Sequence, residues 1–384
     1  MQICIDASNI NTGGGLTHLV ELLSAAQPER SGIDKVAVWA ARETIARLAP
    51  RPWLTLQSDP ALNGSVLSRI AWQRRELPRV AHGSVLFVPG GTHTSGFHPL
   101  VTMIQNWLPF DPLAIRFYPR VGVRRLRLEL LRKSQSDTLR RADGVIYLTE
   151  FAKRILEHKF QGQAPRGAVV PHGVSRQFFR EPRTQLPGDA YSTERPFRFV
   201  YVSPLDRQKH HAELIQAMAV MRRKGLPVAM DFIGATHADV FRGISPEIQR
   251  LDPTGAFLRF MGAVPYDQIH NVYNNSDASV FASSCETFGM PVLEAMASGL
   301  PVACSNQSSM PEIGGDAVVY FDPENVQEIV AVLTSLFQDQ ELRSRLAAAS
   351  LARASQFTWE RAAEGTFSFL ASIGGAQSGK PARG

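Results

Sequence analysis

Cysteine is scarce in this sequence, and long apolar runs are missing from it. The three cysteines, Cys4, Cys285 and Cys304, are odd in number and lie in or beside apolar, strand-like stretches. We therefore expect buried, reduced thiols in a cytosolic protein rather than a disulfide framework. No segment approaches the roughly 18 uninterrupted apolar residues that a membrane span needs. The amino terminus, MQICIDAS, has no basic region followed by an apolar run, so we expect no secretory signal.

Three further motifs are absent, and each absence argues against one class of site. No Asp-x-Asp pair occurs, so we predict no metal site built from sequence-adjacent carboxylates. The dinucleotide fingerprint G-x-G-x-x-G is not completed after the first strand, because residue 18 is histidine. The basic residues are not part of any recognisable motif that reads nucleic acid, so we expect no nucleic-acid partner.

Alternating strand and helix patterns are what the sequence has in quantity. The apolar, strand-like runs are MQICIDAS, KVAVWA, VLFVPGG, LVTMIQN and GVIYLT in the first half, and FRFVYVS, VAMDFIG, LRFMG, ASVFASS, PVACS and AVVYF in the second. Helical patterns lie between these runs, and continuous apolar strands are typical of parallel sheets covered on both faces. We therefore predict an α/β protein of two doubly wound, Rossmann-like domains that face a cleft.

A proline-rich, polar stretch interrupts the alternation at residues 177–196, and we take it as the linker between two domains. The N-terminal domain then comprises residues 1–176 and the C-terminal domain residues 197–356. A last helix over residues 357–373 is expected to pack back toward the N-terminal domain. Residues 374–384 are expected to form a disordered tail.

Positive charge is concentrated in the first half of the chain. Residues 1–190 carry 25 Lys+Arg against 15 Asp+Glu, whereas the rest of the chain carries 16 against 20. Residues 116–141 alone hold nine basic and two acidic side chains, and Val123, Leu126 and Leu130 form an apolar row at helical spacing. A basic amphipathic helix of this kind suggests contact with an anionic membrane surface. A core helix with a solvated basic face is the alternative reading.

A glycine-rich turn follows the first strand, in NTGGGLTHLVELL at residues 11–23. Gly14 and Gly15, together with Gly13, allow close approach of the backbone to an anion at the start of a helix expected near Leu16. A tight strand-to-helix turn with no ligand explains the same residues equally well.

A second loop of this type is VSPLDRQKHHAELIQA, at residues 202–217. Ser203 ends a strand, and Arg207 and Lys209 stand just before a helix expected to start near His211. Two cations beside a helix amino terminus suit a diphosphate, because charge and backbone donors act together. A solvated basic loop is the alternative.

Two carboxylates flank a short hinge in CETFGMPVLE, at residues 285–294. Glu286 is expected in the loop after a strand, and Glu294 in the first turn of the next helix. The N–H groups of Phe288, Gly289 and Met290 lie between them, at the positive end of that helix. This order suits a nucleoside diphosphate sugar, with a polyol at each end and phosphates between. Taken singly, the two residues could equally be a surface charge and a carboxylate that answers the helix dipole.

These stretches together resemble a known family. The resemblance rests on CETFGMPVLEAMASGLPV, MGAVPYDQIHNVYNNSDASVFAS, SSMPEIGGDAVVYFDP, VIYLTEFAKRIL, VVPHGVSRQFF and LDRQKHHAELIQAM, and it extends over about residues 1 to 370. The chain resembles the retaining, family 4 type of nucleotide-sugar glycosyltransferase, which has the GT-B fold. The resemblance implies that the N-terminal domain binds the acceptor and the C-terminal domain binds the donor.

The resemblance also implies roles for individual residues. Glu286 would contact the hydroxyl groups of the donor sugar, Glu294 would bind the ribose, and Lys209 would hold the diphosphate. The Gly13–Gly15 turn would line the cleft near the donor phosphates and the acceptor. Front-face displacement with retention is implied, in which the leaving diphosphate accepts the acceptor proton and cations and N–H dipoles stabilise its charge.

Two positions depart from the family pattern. The family usually carries an arginine five or six residues before the lysine, where this sequence has Ser203 and Pro204; Arg207 is the substitute candidate. Many members carry His-Asp at the end of the strand that matches VTMIQN, where this sequence has Gln105 and Asn106. A neutral amide cannot take up a proton, so Asn106 would position the sugar or the acceptor rather than act as a base.

The function implied is metal-independent transfer of a hexose from a UDP- or GDP-linked donor to a glycan or polyprenyl-linked acceptor. No other cofactor is expected. In a bacterial host this would serve assembly of a surface polysaccharide such as O-antigen, capsule or exopolysaccharide. The enzyme would be cytoplasmic and peripheral on the inner face of the plasma membrane. A catalytically idle GT-B protein that binds nucleotide sugars, and a GT-B nucleotide-sugar epimerase, are the alternatives.

Overall fold

The computed structural model describes residues 1–160 and 165–378, except for the side chains of residues 377 and 378. Contacts divide the chain into two compact units. The N-terminal unit contains Met1–Phe110, Pro119–Gly173 and the chain from Thr358 onward, and the C-terminal unit contains Asp111–Tyr118 and Val174–Phe357. In the described part of the chain, no helix is both long and apolar enough to cross a membrane.

The N-terminal unit is built on a parallel sheet of seven strands in the order β3-β2-β1-β4-β5-β6-β7. The strands, numbered in chain order, are β1 Gln2–Asp6, β2 Lys35–Trp39, β3 Leu54–Gln57, β4 Ser84–Val88, β5 Leu100–Met103, β6 Gly144–Tyr147 and β7 Arg166–Val169. Strands β4, β5 and β6 are buried along their whole length, because both faces of the sheet are covered. The edge strands β3 and β7 are only partly buried.

The helices of both units complete the layers around the sheets. In chain order they are α1 Gly13–Ala25, α2 Arg42–Ile45, α3 Val66–Arg75, α4 Leu77–Val80, α5 Pro112–Ile115, α6 Val123–Arg141, α7 Glu150–Lys159, α8 His211–Arg223, α9 Ala238–Leu251, α10 Ile269–Asn274, α11 Met290–Ala297, α12 Met310–Gly314, α13 Val326–Gln338, α14 Gln340–Ala354 and α15 Trp359–Ser378. Helices α5 and α8 to α14 belong to the C-terminal unit, and the others belong to the N-terminal unit.

The C-terminal unit has a parallel sheet of six strands in the order β10-β9-β8-β11-β12-β13. Its strands are β8 Phe197–Val202, β9 Val228–Ile233, β10 Leu258–Gly262, β11 Ala278–Phe281, β12 Val302–Ser305 and β13 Val319–Phe321. Because β8 is central and the chain order reverses beside it, the loops after β8 and β11 meet at the carboxyl edge of this sheet.

The expected linker at residues 177–196 is packed into the C-terminal unit instead of standing apart from it. Phe178 and Tyr191 are buried, and the fully buried Arg343 donates hydrogen bonds to the carbonyl of Leu186 and to Oε1 of Gln185. The stretch lacks periodicity because its contacts are made by single side chains rather than by a strand or helix face. The boundary between the units therefore falls at residues 173 and 174.

Two other boundaries differ from those expected. Residues 111–118 join the C-terminal unit although the chain on either side of them belongs to the N-terminal unit. The last helix, α15, extends to Ser378, so residues 374–378 are helical rather than part of a disordered tail. Residues 379–384 of the expected tail lie outside the described part of the chain. Helix α15 packs on α1 and β4 within the N-terminal unit.

Candidate functional site

The loop after β8 begins with a close approach of two backbone segments. Ser203 is buried, and its N–H donates to the carbonyl of Ile233 at 2.8 Å. A Cβ atom on Gly234 would lie 2.2 Å from the carbonyl oxygen of Ser203, and Gly234 has a φ of +150°. Only glycine fits there, and the loop is thereby fixed against β9. Ser203 therefore shapes the loop through its backbone.

Lys209 and Glu286 form an ion pair where the loops after β8 and β11 meet. Residues Arg207–Lys209 form a 3₁₀ turn, and His210 then adopts a left-handed conformation before α8 begins. The Tyr201 hydroxyl donates to the carbonyl of Lys209 at 2.8 Å, which holds the turn onto β8. The side chains of Lys209 and Glu286 are only 12% and 19% exposed. The structure thus brings two predicted site residues together, 77 positions apart in sequence.

The backbone of Glu286 is held by two serines of the loop after β12. The N–H of Glu286 donates to Oγ of Ser308 at 2.7 Å, and Ser308 Oγ donates to the carbonyl of Glu286 at 2.6 Å. Ser309 Oγ donates to the same carbonyl at 3.2 Å. These bonds fix the backbone of Glu286 and leave its carboxylate to face Lys209.

Arg207, the other predicted cation, has a different neighbour. Its guanidinium lies 4.0 Å from the carboxylate of Asp239 at the start of α9, and its side chain is 38% exposed. An ion pair this long and this exposed stabilises little. Arg207 therefore stands on the same turn as Lys209 but is held toward solvent.

Helix α11 begins at Met290, which lies between Glu286 and Glu294 in the sequence. Gly289 precedes it in a left-handed conformation, with φ +94°, and a Cβ there would lie 2.4 Å from Cε of Met310. Phe288 is buried, and Met290 is the first helical residue. The first N–H groups of an α-helix have no partner within the helix and point out of its amino terminus. They supply donors beside Glu286.

The position of Glu294 differs from the expected one. It is the fifth residue of α11 and so lies in the second turn, not the first, which removes the reading that it answers the helix dipole. Its side chain is buried, and the Tyr273 hydroxyl lies 3.5 Å from its Oε2. Burial, followed by the nearby Glu294, holds the pKa of Tyr273 well above its usual value. A carboxylate buried to this extent is not a surface charge.

A hydrogen-bond network that the sequence did not indicate joins the two loops. The Tyr118 hydroxyl donates to Oε1 of Gln208 at 2.8 Å, and the carbonyl of Gln208 accepts the N–H of Ser284 at 3.0 Å. His210 Nε2 lies 2.9 Å from Oγ of Ser284, and the ring of Phe117 packs edge-on against His210. Tyr118 is 90 residues from Gln208, so no local pattern could have linked them.

The glycine-rich turn of the N-terminal unit is part of a helix. Helix α1 starts at Gly13 rather than near Leu16, so Gly14 and Gly15 form its first turn. A Cβ on Gly15 would lie 3.7 Å from Oε1 of Gln105, which places that turn against the end of β5. Asn106 is exposed, and its Oδ1 accepts the N–H of Leu108 at 3.1 Å.

A buried polar network ends β1 and β4 in the same unit. Gln73 Nε2 donates to Oδ2 of Asp6 at 2.8 Å and to Oγ of Ser8 at 3.0 Å. His93 Nδ1 lies 3.3 Å from the same Asp6 oxygen, and its Nε2 is hydrogen-bonded to Oγ of Ser95. Because the histidine is bonded through both ring nitrogens, the loop after β4 is rigidly held.

Two histidines outside the predicted site form a buried pair. Nδ1 of His18 lies 3.1 Å from Nδ1 of His172, and both rings pack against Trp359. Burial lowers the pKa of His18 to about 3 and holds that of His172 well below its usual value. Both rings are therefore neutral near pH 7, which suits a structural role.

The family described as glycosyl transferases group 1 matches residues 184–353. The O-antigen chain mannosyltransferase B of Escherichia coli is 29% identical over 239 residues, which cover 61% of this chain and 62% of that protein. The chain thus matches less than two thirds of the length of that relative.

Solved structures match over nearly the whole chain at lower identity. The sucrose-phosphate synthase of Thermosynechococcus elongatus matches with a TM-score of 0.74 at 16% identity. This match covers 98% of the present chain and 100% of the synthase chain. Anabaena HepE in complex with UDP matches with a TM-score of 0.68 at 17% identity, and the match covers 97% of the present chain and 100% of the HepE chain. The predicted GT-B fold of two Rossmann-like domains is confirmed.

Proposed function

We propose, on the premise that residues 184–353 form a domain of the glycosyl transferases group 1 family, that this chain transfers a hexose from a nucleoside diphosphate donor with retention. The single observation that carries the proposal is the ion pair of Lys209 and Glu286 beside the start of α11. A cation, a carboxylate and a helix amino terminus within one loop cluster match a diphosphate that bears a polyol.

Each group has a separate role in the proposed reaction. Lys209 binds the diphosphate and stabilises the charge that develops on it as the glycosidic bond breaks. Glu286 then leaves Lys209 and accepts hydrogen bonds from the sugar hydroxyls. The N–H groups of Gly289 and Met290 add donors for the sugar and phosphate. Glu294 accepts hydrogen bonds from the ribose, and its burial strengthens them.

The remaining predicted residues take supporting roles. Arg207 is a secondary phosphate contact that must move away from Asp239 to act. Ser203 shapes the loop, and Gly14 and Gly15 let the acceptor approach the start of α1. Asn106 positions the acceptor as a neutral amide. The acceptor hydroxyl then transfers its proton to the leaving diphosphate, because the amide of Asn106 cannot take it up.

The donor and acceptor classes are proposed from the relatives. Anabaena HepE was solved with UDP, and the Escherichia coli relative is named as an O-antigen chain mannosyltransferase. We propose a UDP- or GDP-linked hexose as donor and a glycan or polyprenyl-linked glycan as acceptor, within assembly of a surface polysaccharide. We propose that the reaction proceeds without a metal ion, since the sequence has no Asp-x-Asp pair. The basic residues 116–141 would hold the enzyme on the anionic inner face of the membrane.

Turnover of a nucleotide sugar tests this proposal and separates it from idle binding. The purified chain is incubated with UDP-glucose, UDP-galactose or GDP-mannose, and release of the nucleoside diphosphate is measured with and without a membrane extract that supplies acceptor. We expect release with one donor, and at least about a 100-fold loss in Glu286→Gln. Glu181→Gln, an exposed carboxylate in the same unit, is the matched control and should keep full activity. Binding of a nucleotide sugar without turnover would instead support the idle binding protein.

A further inference from the structure

We infer that a cavity on the N-terminal unit binds the phosphate group of a lipid-linked acceptor, whose hydrocarbon chain lies along α6. The inference rests on the proposed function, because it specifies the acceptor of that reaction. It uses residues outside the Lys209–Glu286 site and can be tested separately from it.

The cavity has a volume of about 500 Å³ and lies among α3, the loop after β4 and α6. Three of its cations are Arg74 of α3 and Lys133 and Arg140 of α6. Ser134 adds a hydroxyl group to the lining, whereas the hydroxyl of Thr94 already donates to Oε1 of Gln73 at 2.9 Å. Cations and hydroxyls around a cavity of this size suit a phosphate or diphosphate.

The cations that line the cavity outnumber its carboxylates. Its one acidic residue, Asp137, already pairs with Arg140 at 3.3 Å. Across the described residues, no carboxylate lies within ion-pairing distance of Arg74 or Lys133, both of which are exposed. Two cations without a carboxylate partner attract an anion from solution.

One wall of the cavity is rigid, and a fourth cation holds it in place. Arg141 donates to the carbonyls of Ser95 and His93, each at 2.8 Å. Thr138 Oγ1 accepts the N–H of His93 at 2.9 Å, and the imidazole of His93 is bonded to Asp6 behind the wall. Positioning of this kind preorganises a binding site, because little freedom is lost when a ligand arrives.

An exposed apolar row continues directly from the cavity. Val123, Leu126 and Leu130 of α6 are 84%, 62% and 61% exposed, so the solvent-facing part of this helix is apolar as well as basic. The second half of α6 packs on the core, since Thr138 and Leu139 are buried. Leu130 also lines the cavity, and Lys133 follows it by three residues on the same helix face.

The same face of α6 is therefore apolar at one end and cationic at the other. The apolar part from Val123 to Leu130 spans about 10 Å at the rise of an α-helix. An anionic amphiphile matches both parts at once. A free sugar phosphate would leave the apolar row uncovered, and a neutral lipid would leave the cations of the cavity without a counter-charge.

Binding of farnesyl diphosphate by isothermal titration calorimetry tests the inference on the full chain. Inorganic diphosphate and farnesol are the reference probes, since each supplies only one half of the amphiphile. We expect farnesyl diphosphate to bind at least about 10-fold more tightly than either of them, since the cations and the apolar row both contribute. Equal affinity for inorganic diphosphate would mean a site for free phosphate and would overturn the inference.

Variants then locate the site. Arg74→Ala/Lys133→Ala and Leu126→Ser/Leu130→Ser should each weaken farnesyl diphosphate binding by about 10-fold or more. Arg127→Ala/Arg132→Ala removes the same charge from α6 outside the cavity and should bind as the wild type does. Lys209→Ala should also keep this affinity. Wild-type affinity in the cavity variant, or an equal loss in the charge-matched control, would contradict the inference.

Two further measurements separate this inference from the proposed function and from general membrane attraction. Nucleotide-sugar hydrolysis by Arg74→Ala/Lys133→Ala should match that of the wild type. Absence of hydrolysis from the wild type and from every variant alike would count against the proposed function, while the calorimetry would still decide the lipid-phosphate site. Co-sedimentation with phosphatidylglycerol vesicles should fall more in Arg127→Ala/Arg132→Ala than farnesyl diphosphate binding does. If all variants ranked in the same order for farnesyl diphosphate binding and for vesicle co-sedimentation, α6 would be a surface that attracts membranes in general. The inference of a separate phosphate site would then be wrong.

Discussion

The two charged regions of this molecule differ in how their charges are compensated. In the C-terminal unit, Lys209 and Glu286 neutralise each other at low exposure. On α6 of the N-terminal unit, Lys133 has no carboxylate partner among the described residues and lies beside the exposed Leu130. A buried site must carry its own counter-charge to be stable without ligand, whereas an exposed one can leave its charge to water.

This difference has a consequence for ligand binding. A donor that enters the C-terminal site must separate an ion pair, so its diphosphate replaces Glu286 as the partner of Lys209 and frees that carboxylate for the sugar. An anion that reaches α6 displaces only water and salt, so its binding depends more strongly on ionic strength.

Removal of Lys209 should have the largest effect on turnover of the nucleotide sugar. In Lys209→Ala the donor loses its principal cation and meets an uncompensated Glu286, so we expect kcat/KM for the nucleotide sugar to fall about 100- to 1,000-fold. Arg207→Ala, on the same turn but paired with Asp239, should lose less than about 10-fold, since surface pairs contribute little. Steady-state kinetics on both variants makes the comparison, and equal losses would show that the phosphate site is centred elsewhere.

Neutralising Glu294 should have the next largest effect. Glu294→Gln keeps the shape of the side chain but removes its charge, so hydrogen bonds to the ribose weaken and KM for the donor should rise about 10- to 100-fold. Tyr273→Phe removes only the neighbouring hydroxyl and should change KM much less. Binding of a nucleoside diphosphate to both variants can be measured by calorimetry. An unchanged affinity in Glu294→Gln would exclude the ribose role.

Acid should destabilise the N-terminal unit through its buried histidines. The pKa of His18 falls from 6.5 in the unfolded chain to about 3 in the folded one, because burial disfavours the charged ring. The unfolded state therefore binds more protons between these values, and stability falls as pH falls from about 6.5 toward about 3. At pH 5 this amounts to on the order of 2 kcal/mol for His18 alone.

Denaturant unfolding from pH 7.5 to pH 4.5 checks this effect. We expect His18→Gln to have a shallower dependence of unfolding free energy on pH than the wild type, whatever its stability at pH 7.5. His82→Gln, an exposed histidine of the same unit, is the control and should keep the wild-type slope. Parallel slopes for all three proteins would show that His18 is not held neutral by burial.

Loss of the Tyr118 hydroxyl should have the smallest effect. Tyr118→Phe leaves Oε1 of the buried Gln208 without this donor, which should cost about 1 kcal/mol, or roughly a 5-fold loss in donor kcat/KM. The change should appear in donor kinetics rather than in farnesyl diphosphate binding, because Gln208 adjoins Lys209. An effect on lipid binding alone would mean that the network does not position the Lys209 turn.

Sequence patterns located most of the fold because most strands are buried on both faces. All strands of the C-terminal unit follow predicted apolar runs, as β4, β5 and β6 do in the N-terminal unit. The edge strands β3 and β7 escaped prediction, since they are partly exposed and lack a continuous apolar run. Helix starts were less well placed, because the glycines of α1 enter the helix itself.

The candidate site was predictable in its residue types and less so in its contacts. Glu286 and Lys209 were each recognised beside a helix start, but their pairing depends on the meeting of two loops far apart in sequence. Glu294 lies in the second turn of α11 instead of the expected first turn, because the helix begins at Met290. Tyr118 was missed because its segment leaves its sequence neighbours for the other unit, and no local spacing encodes such a contact.

A crystal structure with an intact nucleotide sugar decides whether Lys209 binds the donor diphosphate. We expect Nζ of Lys209 to leave Glu286 and lie within hydrogen-bonding distance of a diphosphate oxygen, with the Glu286 carboxylate on the sugar hydroxyls. A bound nucleotide sugar that leaves the Lys209–Glu286 pair intact, with its diphosphate at some other cation, would show that this pair is not the donor site.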